Sequence, residues 1–169
     1  MLPGPLSAQV PYVGLSSVGG QAFASEDLFF YGPAVGEEFG YAVATGDFNG
    51  DGIDDLATGI PQNRTGAPTA GAVQIHYGRA GGIELAGTHI LLQGVAGVPG
   101  SPQNNDHFGQ ALATGDFDDN GHADLVLGAP WHDVAGIGGD VGAEVVFYGS
   151  LFADGFEGGS TFAWSAALP

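Results

Sequence analysis

Two short stretches of this chain place oxygen donors at alternating positions: DFNGDGIDD from Asp47 to Asp55, and DFDDNGHAD from Asp116 to Asp124. Both fit the pattern Dx[DN]x[DN]GxxD. Side chains at alternate positions of a loop can converge on one point when the backbone wraps around it. Calcium, a hard cation, takes about six to eight oxygens in such a cage. The spacing predicts side-chain ligands at Asp47, Asn49, Asp51 and Asp55 in the first loop, and at Asp116, Asp118, Asn120 and Asp124 in the second. The seventh position, Ile53 or His122, is expected to offer its backbone carbonyl, which explains why an apolar residue is tolerated there. Gly52 and Gly121 hold the sixth position, where a sharp turn calls for positive φ. Asp54 and Asp119 fall off the alternation and are expected in solvent.

A bland reading also exists, in which DG and NG are hairpin turns that happen to be acidic. Two copies preserving one register and one alternation favour the metal. An EF-hand would require a glutamate at the twelfth position between two helices, and Thr58 and Leu127 stand there instead. Magnesium suits the pattern less well, because it prefers fewer protein ligands and a stricter octahedron. The expectation is therefore two calcium sites, whose filling would move the formal charge from −17 to −13.

Such loops need rigid elements to hold them, and the flanking sequence supplies these as repeats. FGYAVATGDFNGDGIDDLATGIP from Phe39 recurs as FGQALATGDFDDNGHADLVLGAP from Phe108, an offset of 108 − 39 = 69 residues. GAVQIHYG from Gly71 recurs as GAEVVFYG from Gly142, at 142 − 71 = 71. A fainter match joins GGQAFASEDLFFYG from Gly19 to GGIELAGTHILLQG from Gly81. A repeat of this period is one supersecondary unit that buries its apolar face by stacking on its neighbours. Four short apolar runs per unit, about Tyr41 to Thr45, Leu56 to Gly59, Ala72 to Tyr77 and His89 to Gln93, have strand spacing. In the third run Val73, Ile75 and Tyr77 alternate with Gln74 and His76, the pattern of a strand with one buried face. The small residues of AVATG and ALATG let strands crowd near the axis of a radial array.

The reading is therefore all-β, with four-stranded antiparallel blades of an incomplete β-propeller of about two and a half blades. Repeat units are expected at about 39–107 and 108–150, preceded by a partial blade over 1–38. Composition agrees: 32 glycines, 10 prolines and 44% hydrophobic residues in 169 suit short strands and tight turns. The chain has 19 acids against Arg64 and Arg79 and a net charge of −17, so nucleic acid and anionic membranes would be repelled. It has no cysteine to form a disulfide. The first residues lack the basic start and apolar core of a secretory signal, and no apolar run approaches the roughly 18 residues needed to span a bilayer.

With these residues in view, the chain resembles the FG-GAP repeat of integrin α-subunit propellers and related bacterial surface proteins. The matching elements are Phe39 and Gly40 with Gly59, Ile60 and Pro61, then Phe108 and Gly109 with Gly128, Ala129 and Pro130. Ile60 departs from the usual alanine. The resemblance implies a seven-bladed propeller, calcium in hairpin loops opposite the usual ligand surface, and an extracellular or cell-surface location, here of bacterial type. It implies a binding or adhesion module for a protein or glycan ligand. Because the repeats amount to only part of a closed propeller, either further blades of a longer propeller or self-association is expected. Residues 151–169, with DGFE and then Trp164 and Ser165, resemble the short sorting tails of exported gammaproteobacterial proteins; a closing strand is the alternative.

Catalytic patterns are missing from the sequence. There is no GxSxG elbow, Walker loop, HExxH or cysteine nucleophile. The five histidines, His76, His89, His107, His122 and His132, lack zinc-ligand spacing, and four are expected exposed or in turns. The reading is therefore not an enzyme. Two other functions fit the same repeats: an accessory propeller of a secreted hydrolase or polysaccharide lyase, with catalysis encoded elsewhere, and a purely structural spacer.

Overall fold

The computed structural model describes Gln21 and residues 36–84, 87–95 and 97–149. The proposed partial blade before residue 36 and the tail 151–169 lie outside these residues, apart from Gln21. Among the described residues nine strands follow in chain order: β1 (Val43–Gly46), β2 (Asp55–Ile60), β3 (Ala72–His76), β4 (Gly78–Arg79), β5 (Gly82–Ile83), β6 (His89–Leu91), β7 (Ala111–Gly115), β8 (Asp124–Ala129) and β9 (Ala143–Phe147). The first repeat forms a four-stranded sheet in the order β1-β2-β3-β6, and the second a sheet in the order β7-β8-β9. A two-stranded ribbon, β4-β5, lies between β3 and β6 in the chain. Every strand pair is antiparallel. The fold is thus all-β, consistent with incomplete propeller blades whose sheets do not close. Among the described residues, no helix is long and apolar enough to cross a membrane.

The two sheets share one core. Ala57, Val73, Ile75 and Leu91 of the first sheet pack with Leu125, Leu127 and Phe147 of the second, and Phe48 and Phe108 are fully buried among them. Each fully buried large side chain stabilises by about 1.5–3 kcal/mol relative to exposure, so this shared layer holds the two repeats together. At the seam, backbone meets backbone. The Phe108 N–H donates to the Ala70 carbonyl at 2.8 Å, and Phe108 forms a parallel bridge with Gly71. A methyl group at Gly59 would lie 2.1 Å from the Gly109 carbonyl oxygen. That is closer than atoms can approach, so glycine is required there for the second repeat to seat. The Phe-Gly pair that opens the second repeat is therefore the piece that docks on the first.

Corresponding positions differ in what covers them. Ala57 and Ile75 face each other across β2 and β3 and are fully buried. Their counterparts Val126 and Val146 face each other across β8 and β9, with Val146 40% exposed. The second sheet thus presents outward the surface that the first sheet uses to receive a neighbour.

Strand β3 corrects the one-faced reading of its alternation. Gln74 and His76, expected on the solvent face, are as buried as Val73 and Ile75, because β3 is an inner strand covered on both faces. Phe39 sets its ring edge-on to His76, with centroids 6.5 Å apart. His89 is half-buried and hydrogen-bonds the Tyr77 hydroxyl through Nδ1 at 2.8 Å.

Candidate metal centre

Hairpins β1-β2 and β7-β8 carry the two acidic loops, and their register is the same. Gly46 pairs with Asp55 in one and Gly115 with Asp124 in the other. The last aspartate of each loop therefore opens the second strand, directly opposite the glycine that ends the first.

That ninth-position aspartate is buried in both loops. Asp55 accepts the Phe48 N–H at 3.0 Å on Oδ2 and the Gly78 N–H at 2.8 Å on Oδ1. Asp124 repeats the arrangement, accepting from Phe117 at 2.6 Å and from Gly149 at 2.8 Å. Each carboxylate ties its loop to the exit of the third strand. The donating glycines could not be anything else: a methyl group at Gly78 would lie 2.2 Å from the Asp54 carbonyl oxygen, and one at Gly149 would lie 2.3 Å from that of Ala123.

The first aspartate organises the turn. Asp47 accepts the N–H groups of Gly50 and Asp51 on Oδ1 and that of Gly52 on Oδ2. Asp116 likewise accepts those of Asn120 and Gly121. The fifth residue caps the seventh, with Asp51 Oδ1 receiving Ile53 N–H and Asn120 Oδ1 receiving His122 N–H, both at 2.8 Å. Positions three and five are joined side chain to side chain: the Asn49 amide donates to Asp51 at 3.3 Å, and the Asn120 amide donates to Asp118 at 3.0 Å. The acid and the amide have exchanged places between the loops without changing this link. Gly52 and Gly121 both have φ of +86°, as the sixth position requires, and the fourth position is left-handed too, with Gly50 at +77° and Asp119 at +56°. Asp54 and Asp119 are exposed.

Where the loops differ is in how closely their acids gather. One carboxylate oxygen each from Asp116, Asp118 and Asp124 lie within 4.8 Å of one another. Oxygens on opposite sides of a calcium ion are about 4.6–5.2 Å apart, twice the calcium–oxygen distance, so this trio fits one such ion. The donors are all hard oxygens, which suit calcium better than zinc or copper. Among the described residues no other acidic trio is gathered to that spacing. In the first loop the third-position donor is the amide of Asn49, and its acids stand at positions one, five and nine.

Crowded acids carry an electrostatic cost. Burial pushes the Asp55 carboxyl up to about 6; the N–H groups of Gly78 and Phe48 pull against that rise, while the charges of Asp51 and Asp47 add to it. A cation among these oxygens would relieve both the burial penalty and the mutual repulsion.

A further pair of contacts, absent from the sequence reading, recurs at the same offset. Glu37 accepts the Asn63 amide at 3.3 Å, and Asp106 bonds His132 Nδ1 at 3.1 Å. Each buried acid stands two residues before a Phe-Gly pair and reaches two residues past the proline that follows β2 or β8. The signal was available in the repeat alignment, since 106 − 37 and 132 − 63 both equal 69.

Comparison with known proteins agrees with the repeat. The FG-GAP repeat family matches at residues 39–76 and 108–147. Among curated proteins, the chain is similar to integrin alpha-PS2 of Drosophila melanogaster, 33% identical over 129 residues that make up 70% of this chain and 8% of that protein. It is also similar to integrin alpha-V of Gallus gallus, 35% identical over 91 residues, covering 54% and 7% of the two chains. Integrin alpha-5 of Xenopus laevis is 32% identical over 126 residues, covering 71% and 11%. The matched stretch spans at most 11% of the length of these three relatives.

Proposed function

The chain belongs to the FG-GAP repeat family through its two repeats, and on that premise we propose that it is a calcium-stabilised extracellular binding or adhesion module that recognises a protein or glycan ligand. Asp47, Asn49, Asp51 and Asp55, with the Ile53 carbonyl, hold one ion in this reading. Asp116, Asp118, Asn120 and Asp124, with the His122 carbonyl, hold the other. The units are blades over about 39–107 and 108–150, and recognition rather than catalysis is their role. Further blades, in a longer chain or a second copy, cover the outward face of the second sheet.

The observation that carries the reading is the gathering of Asp116, Asp118 and Asp124 to within 4.8 Å, in a loop whose first, fifth and ninth residues accept the same backbone N–H groups as those of the other loop. Bound calcium supplies positive charge that neutralises these carboxylates and stiffens the hairpins. Extracellular modules of this kind bind at about 10⁻⁴–10⁻³ M. At about 1 mM free calcium and a dissociation constant of about 10⁻⁴ M, linkage gives about 1.4 kcal/mol per site, and two sites raise Tm by roughly 6–11 °C in a chain of this size. Thermal unfolding with calcium and with excess chelator measures this directly, and an unchanged melting curve would falsify the calcium role. The binding role is tested by pull-down from extracellular extracts with the calcium-loaded chain, beside a glycan array; specific retention in neither sinks it.

A further inference from the structure

Resting on the reading of the loops as calcium sites, we propose that the two sites are coupled, each tightening the other, through the contact between Asp47 and Ala123. The Ala123 N–H donates to the Asp47 carbonyl at 3.3 Å, so the first residue of one loop bonds the eighth residue of the other. The approach is close: a methyl group at Gly46 would lie 2.7 Å from the Ala123 side chain. Strands β1 and β7, which lead into the two loops, are neighbours.

Both ends of this contact belong to the residues that organise the sites. The Asp47 carboxylate holds three N–H groups of its own loop, so fixing that carboxylate also fixes the carbonyl that Ala123 meets. Ala123 directly precedes Asp124, whose carboxylate belongs to the gathered trio and is clamped by Phe117 and Gly149. Ordering the first loop therefore restrains Asp124 in the second. By linkage the effect is the same in reverse, and couplings of this sort are typically about 5–150-fold. Electrostatics opposes it, because the first cation weakens the negative field that attracts the second. That term is screened beyond about 8 Å at physiological ionic strength, so the positive coupling is read in about 0.15 M salt.

Calorimetric titration of the whole chain with calcium chloride, alongside Asp47→Asn and Asp116→Asn, tests the proposal. The product of the two association constants of the unaltered chain, divided by the product of those of the two single-site variants, is the coupling factor; a value of about 5 or more is expected. Gly46→Ala forces Ala123 away without touching a ligand, and should return that factor to about one while both sites still titrate. A factor of one or below in the unaltered chain overturns the coupling and leaves the calcium sites standing. No calcium binding by the unaltered chain overturns the calcium reading and the coupling with it.

Discussion

The ninth-position aspartate should matter to the fold even when no metal is present, and Asp124→Ala measures how much. Asp124 is buried and spends one oxygen on the Phe117 N–H and the other on the Gly149 N–H. Removing the carboxylate orphans both donors. The Gly149 N–H is buried, and leaving such a group unsatisfied costs about 1–3 kcal/mol. The Phe117 N–H is only part-buried and can recover some hydration, so it adds about 1 kcal/mol. Asp124→Ala should therefore lose roughly 2–4 kcal/mol in excess chelator, and Asp124→Asn, which keeps one acceptor oxygen, about half of that. Asp116→Ala is the matched control. Its oxygens serve the N–H groups of Asn120 and Gly121 in an exposed turn, where water takes over, and the loss should stay below about 1 kcal/mol. Urea unfolding followed by tryptophan fluorescence gives each value; chelator removes the metal from the comparison. Equal losses for Asp124→Ala and Asp116→Ala would show that the clamp to the third strand contributes nothing.

Two further outcomes follow from the buried seam and from β3. Gly59→Ala brings a methyl group 2.1 Å from the Gly109 carbonyl, whereas at the equivalent Gly128 the nearest atom is the Ala111 methyl at 3.4 Å. The first should cost about 1–3 kcal/mol or more and the second almost nothing, in the same denaturation assay; similar costs would disprove the seam. Burial lowers the His76 imidazole from 6.5 to about 4, so the unfolded chain binds the extra proton between those values. The stability this confers is complete above about pH 6.5 and is lost as pH falls to about 4, a change of about 3 kcal/mol. His76→Gln should abolish that slope, and parallel pH profiles for the two proteins, both in chelator, would contradict the burial. Asp55, raised to about 6, acts with the opposite sign but is common to both proteins and cancels in the difference.

What the sequence made legible was whatever repeats or alternates. The four apolar runs of the first unit became β1, β2, β3 and β6 in that sheet order. The sixth-position glycines took positive φ, and the Phe-Gly pair proved to be where one repeat docks on the other. Other features left no periodic trace. The ribbon β4-β5 has two residues per strand, too few for any hydrophobic period to show. His76 and Gln74 read as polar and therefore outward, because period-two reasoning assumes one wet face, and β3 is buried on both. The double duty of Asp55 and Asp124 was hidden for another reason. A carboxylate in a cation-binding pattern looks fully accounted for, and its backbone partners Gly78 and Gly149 lie 23 and 25 residues away.

The seam between the sheets relates its two sides by a step along the chain rather than by a twofold axis. A twofold contact uses up the surface that made it, and growth stops at two. A stepwise contact regenerates its own starting surface, as Val126 and Val146 do for Ala57 and Ile75. Duplicating or deleting one unit in the gene would therefore create no junction of a new kind, and the number of units could drift in descent without any interface having to be reinvented.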